Sequence, residues 1–222
     1  PVSWTVTFAN AISGLTSSNF TLVNGGLGGA PAITTVTPVG GAPATTWTVT
    51  ASTGTGQGTL GLNMTSAVGL THDVTNLNFT GQVYDIDKIA PTVSNVSSNA
   101  NTGCILNVAT DYCNAADTVS IQVTFSEAVS VVGTPQLTLE TGVTDQTINY
   151  VSGSGTDTLT FTYTVQAGDT STDLDYTSIS ALALNGATIQ DGATNNATLT
   201  LATPGAAGSL RVNEDIVVDT TA

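Results

Sequence analysis

Apolar and polar residues alternate along several short stretches of this chain. Trp4-Thr5-Val6-Thr7-Phe8, Trp47-Thr48-Val49-Thr50, Val119-Ser120-Ile121-Gln122-Val123-Thr124-Phe125 and Leu159-Thr160-Phe161-Thr162-Tyr163-Thr164-Val165 each place an apolar side chain at every second position. A period of two sets one face against a core and the other against water, which predicts β-strands. Turn formers punctuate the strands at Asn24-Gly25-Gly26, Gly40-Gly41, residues 52–58, Ser152-Gly153-Ser154-Gly155 and Asn185-Gly186. No segment sustains a 3.6-residue period. Many short strands with regular turns predict an all-β sandwich or barrel.

The pattern also repeats. Trp4-Thr5-Val6-Thr7-Phe8-Ala9-Asn10-Ala11-Ile12 matches Ile121-Gln122-Val123-Thr124-Phe125-Ser126-Glu127-Ala128-Val129, and residues 84–91 resemble residues 217–222. The repeats predict two modules, residues 1–88 and 89–222. They do not start alike: Pro91 precedes Ile121 by a long stretch, whereas Pro1 lies just ahead of Trp4. The first module is therefore expected to lack its opening strand. That strand lies outside this segment, or the module uses a shorter one, or a neighbouring chain donates it; part of the difference is a cysteine loop inserted in the second module. An unpaired sheet edge is an association hazard or an association device.

Composition narrows the function. The chain has 222 residues, 40% apolar and only 8% charged, so Thr, Ser, Asn and Gly must supply the polar surface. Sixteen acids oppose two bases, Lys88 and Arg211, for a net charge of −14. Phosphate recognition needs Lys and Arg clusters, so nucleic acid is excluded as a partner, and anionic membrane surfaces with it. The acidity suits hard cations bound through carboxylates, or simply keeps a weakly charged surface soluble. No stretch is long and apolar enough for a membrane span. No signal peptide opens the segment, so the signal of an exported protein would lie outside it.

Cys104 and Cys113 stand nine residues apart. They form a small disulfide loop suited to an oxidising compartment, or remain two thiols. The lone histidine, His72, is far from both, which disfavours zinc. His72-Asp73 makes no catalytic triad without an activated nucleophile facing it. Aromatic residues are 5%, too few for a sugar-stacking hydrolase cleft. Gly54-Thr55-Gly56-Gln57-Gly58 lacks the Lys and following helix of a phosphate loop. No enzyme is expected. Trp4 and Trp47 are expected in the core, and Asp175-Tyr176 as a tyrosine-corner-like lock onto nearby backbone.

Val123-Thr124-Phe125-Ser126-Glu127-Ala128-Val129, the run from Asp87 to Pro91, residues 182–191 and Asn195-Asn196-Ala197-Thr198-Leu199 together resemble the tandem bacterial immunoglobulin-like, cadherin-like repeats of large secreted surface adhesins. The resemblance covers nearly all of the second module and the first more loosely. It implies two tandem immunoglobulin-like Greek-key β-sandwiches, an extracellular or cell-surface location, and end-to-end arrays with calcium at module junctions.

In such a sandwich Glu127 ends a strand returning to the linker that carries Asp85 and Asp87, and Asp191 lies in a late loop at the same end. Calcium takes six to eight oxygens, so carboxylates meeting there suffice, with Asn195 or Asn196 adding an amide oxygen. Asp169, Asp173, Asp175 and Asp219 form a second, weaker candidate. Asp in turns also bonds its own backbone. The expected function is a structural extender or filament-forming unit stiffened by calcium at the linker. Its partners are copies of itself or adjacent repeats head to tail, with strand donation one route. The alternative is an adhesive module that binds a glycan or protein receptor through its loops, the cysteine loop above all.

Overall fold

The computed structural model describes residues 1–106 and 110–221. The chain divides into two compact units, Pro1–Ile89 and Ala90–Ala222, parting one residue beyond the boundary read from the repeats. Both are built from β-sheets, and the chain is all-β and sandwich-like apart from one helical turn and one 3-10 turn.

The first unit contains β1 (Val2–Ile12), β2 (Phe20–Gly25), β3 (Ile33–Pro38), β4 (Ala44–Ala51), β5 (Gly58–Met64) and β6 (Phe79–Ile86). They form two three-stranded sheets, ordered β1-β4-β3 and β2-β5-β6. The inward positions of the alternating runs meet in one core: Trp4, Trp47, Val49 and Ala51 from the first sheet, Leu60, Leu62 and Met64 from the second. Both tryptophans are buried there, and Trp47 donates from Nε1 to the Ala44 carbonyl at 3.1 Å. Asn19 is fully buried, and its side chain ties a 3-10 turn to a distant loop by donating to the carbonyls of Ser66 and Val68.

The second unit opens with β7 (Val93–Thr102), β8 (Ile105–Leu106) and β9 (Asp111–Cys113). It continues through β10 (Thr118–Val132), β11 (Gln136–Glu140), β12 (Gln146–Ser152), β13 (Thr156–Thr164), β14 (Thr170–Ser171), β15 (Asp175–Tyr176), β16 (Leu182–Ala183) and β17 (Thr188–Gln190). A helical turn, α1 (Leu210–Asn213), and β18 (Ile216–Asp219) close it. The large sheet runs β15-β11-β12-β13-β10, with β16 also on β11 and both β7 and β17 on β10. The small sheet runs β14-β18-β9-β8, and β9 lies parallel to β18. Val119, Ile121, Val123 and Phe125 of β10 and Leu159, Phe161 and Tyr163 of β13 fill the core, as their alternation demands.

Hydrogen-bond register shows that the repeated segments are equivalent strands. Trp4 pairs with Val49 and Val6 with Trp47; Ile121 pairs with Phe161 and Val123 with Leu159. Both ladders break at matching points, between Thr7 and Ile12 in β1 and between Thr124 and Val129 in β10. The antiparallel pair β1–β4 therefore corresponds to β10–β13.

Candidate metal centre

Among the described residues of the second unit, Glu127 and Asp191 each offer a carboxylate oxygen within 4.8 Å of the other. Glu127 sits in β10 where its ladder shifts register. Such an irregularity turns a side chain off the strict in-out alternation. Asp191 follows β17 directly and is buried. Asp87 lies past the end of β6, in the stretch that leads along the chain into the second unit.

Asp191 also organises its own loop. Its Oδ1 accepts from the N–H groups of Ala193 and Asn195, both at 2.8 Å, and its Oδ2 accepts from Asn195 Nδ2 at 2.7 Å. These bonds fix the carboxylate by short-range contacts before any ligand arrives. Asn195, expected as an amide-oxygen ligand, thus turns its amide nitrogen toward Asp191. Asn196 instead accepts from Gln190 Nε2 at 2.9 Å.

In the first unit, Asp85 is a ladder residue of β6, opposite Thr59, and exposed. The expectation that Asp85 and Asp87 share one side of an extended segment needs the strand to continue. It ends at Ile86, and Asp87 Oδ1 then accepts from the Ile89 N–H at 2.9 Å in a local turn. All the residues involved carry oxygen ligands, and a hard cation such as calcium fits that chemistry.

The second expected set, Asp169, Asp173, Asp175 and Asp219, does not form such a group among the described residues. Each carboxylate serves another bond. Asp169 is buried; its Oδ2 accepts from the Tyr163 hydroxyl at 2.6 Å and the Gln166 N–H at 2.9 Å, and its Oδ1 from Gln146 Nε2 at 2.9 Å. Asp173 pairs with Arg211 Nε at 3.3 Å, and burial holds its carboxyl above the usual value despite that cation. Asp175 accepts from the N–H groups of Tyr176 and Gly205. Asp219 accepts from the Thr221 hydroxyl and N–H, which hold its pKa below the usual carboxylate range.

Tyr176 behaves as a lock, though not onto nearby backbone: its hydroxyl donates to the Ala202 carbonyl at 2.7 Å, 26 residues away in sequence. Sequence reading missed the Tyr163–Asp169 bond. An apolar-side Tyr in a strand followed by Asp within the next loop was the available signal.

Cys104 and Cys113 form a disulfide and are both buried. Residues 107–109 of that loop, expected to serve an adhesive role, lie outside the described residues. His72 and Asp73 are exposed in the loop between β5 and β6. Among the described residues no helix is long and apolar enough to cross a membrane. Comparison with protein-family models, with characterised proteins and with solved structures finds no match for the chain.

Proposed function

We propose that this protein is a structural extender of an extracellular assembly. Its immunoglobulin-like modules are repeated in tandem, and a divalent cation at the linker, with Glu127 and Asp191 among its ligands, limits bending. The observation that carries this reading is the pair of carboxylates, Glu127 and Asp191, that the second unit brings within 4.8 Å of each other. The equivalent antiparallel strand pairs of the two units support a repeated module. A disulfide is compatible with an oxidising, extracellular setting. Calcium is the favoured ion because carboxylates in a flexible oxygen shell, completed by carbonyls and water, match its needs.

Thermal unfolding of the whole chain with calcium and then with chelator tests the proposal, with static light scattering on the same samples. A ligand that binds only the folded state stabilises it, by about 2.7 kcal/mol at a hundredfold excess over Kd. A calcium-dependent rise in Tm supports the reading. An unchanged Tm at millimolar calcium removes the cation from the account.

A further inference from the structure

Two Asn-Gly dipeptides occur in the chain, Asn24-Gly25 and Asn185-Gly186. Glycine leaves an asparagine side-chain amide open to attack by the following main-chain nitrogen, because no Cβ blocks the approach. The two dipeptides share that chemistry and differ in their surroundings.

Asn24 is held. It lies in β2, and Gly25 is a ladder residue opposite Thr59. Asn24 Oδ1 accepts from the Leu27 N–H and its Nδ2 donates to the Leu27 carbonyl, both at 2.8 Å. Leu27 is itself buried. Turning the Asn24 amide toward the Gly25 nitrogen therefore breaks both bonds and opens the end of the β2–β5 ladder.

Asn185 is loosely held. It sits at the tip of the turn Leu184–Ala187, with φ of 50° at Asn185 and 77° at Gly186, closed by the Ala187 N–H donating to the Leu184 carbonyl at 2.9 Å. Positive φ at both central residues is the type I′ geometry that Asn-Gly favours. Both residues are exposed, and the place a Gly186 Cβ would take is open space. The Asn185 side chain makes one bond among the described residues, from Nδ2 to the Thr134 carbonyl at 3.3 Å, longer than a good N–H···O bond. Exposed turn tips open at low cost.

We infer that Asn185 is a self-modification site, converted in the folded protein to aspartate and isoaspartate. The Gly186 main-chain nitrogen attacks Asn185 Cγ and a new N–C bond forms. The Cγ–Nδ2 bond breaks, and the Gly186 amide proton leaves with that nitrogen as ammonia. Water then opens the five-membered imide: at Cγ to give aspartate, at the main-chain carbonyl to give isoaspartate. Nothing is oxidised or reduced. The isoaspartyl form lengthens the main chain by one carbon between Leu184 and Ala187. There is no slack to absorb it. Ala187 is buried against Gly133, where a Cβ would lie 3.0 Å from the Ala187 Cα. β17 follows directly, with Ile189 in the core opposite Val131. The added carbon therefore loosens β17 on β10. The step needs only water, so it stands apart from the cation and extender reading.

The whole chain is incubated in mildly alkaline buffer, with and without unfolding urea. Peptide mapping by mass spectrometry reads the gain of one mass unit at each asparagine, and fragmentation separates isoaspartate from aspartate. In buffer Asn185 is expected to react roughly tenfold or more faster than Asn24, since each hydrogen bond that must open slows the step by up to about tenfold. In urea the two rates are expected to converge, because unfolding removes the difference in surroundings. The isoaspartate-bearing chain is expected to unfold at lower urea than N185D, which has the charge without the extra carbon, read by circular dichroism. Equal rates in buffer, reaction at Asn185 only in urea, a rate ratio that persists in urea, or an isoaspartyl chain as stable as N185D each overturns the inference.

Discussion

The Tyr163 hydroxyl donates to Asp169 Oδ2 at 2.6 Å inside the second unit, and both residues are almost wholly shielded from solvent. The bond joins the end of β13 to the loop that follows it. The Asp169 main-chain carbonyl also accepts from the Thr220 hydroxyl at 2.9 Å, so the same loop is tied to the end of β18. Replacing Tyr163 by Phe removes one donor from a buried carboxylate. Losing a hydrogen bond to a charged group costs about 1.5–3 kcal/mol. Y163F is expected to lower the second unit's unfolding free energy by that amount, read from urea unfolding by far-UV circular dichroism.

Alkaline pH should weaken the same unit. Burial, with Asp169 adding to it, raises the Tyr163 phenol well above its ordinary value, and burial with the Asp175 charge pushes Tyr176 up to about 12. Free tyrosine ionises near ~10. Above that value the unfolded chain loses these protons while the folded one keeps them. The unfolded state then binds fewer protons, and stability falls as pH rises. The stabilising effect is complete below ~10 and declines progressively above it, with the Tyr176 share gone once pH passes about 12. A Tm series from pH 8 to 12 checks this, and Y176F should flatten part of the slope.

Reduction of Cys104–Cys113 is expected to destabilise only the unit that contains it. Closing a short loop removes chain entropy from the unfolded state, worth roughly 2–3 kcal/mol. Both tryptophans lie in the first unit. Reductant should therefore lower the transition seen by circular dichroism and leave the tryptophan-emission transition in place.

Glu127 and Asp191 should separate ligand from scaffold. E127Q is expected to abolish the calcium-dependent rise in Tm. D191A should cost about 1–3 kcal/mol with or without calcium, because it strips acceptors from Ala193 and Asn195. Paired melting curves in calcium and chelator distinguish the two.

Phe8 and Phe125 hold equivalent positions with unequal cover: Phe125 is 2% exposed, whereas Phe8 is only partly buried and lines a cavity of about 550 Å³. F125A empties a closed core position and should cost about 3–5 kcal/mol. F8A opens onto a cavity that already exists, so its cost should be less than half of that. Urea unfolding read by tryptophan emission for F8A and by circular dichroism for F125A makes the comparison.

The strands were legible because alternation is a local property. A strand with one buried face needs apolar residues two apart, and the run from Val119 to Phe125 can satisfy no other regular structure. The Trp4 and Ile121 repeat was legible for the same reason, since equivalent strands need equivalent inward side chains. Glu127 and Asp191 could be placed at one end of a module from strand direction alone. Asp85 could not be separated from Asp87, because the end of β6 depends on where its ladder to β5 stops.

Sequence alone thus determined the all-β class, the repeated strand and the sparsely charged, acid-biased composition, all set by residue types and short spacing. Tertiary structure alone decided which aspartates share space and which are consumed. Asp169 finds Tyr163 and Gln146, and Asp173 finds Arg211, through packing contacts that no spacing rule encodes. The partner of a buried carboxylate is set by which strands and loops the fold brings side by side, and spacing along the chain does not carry that information.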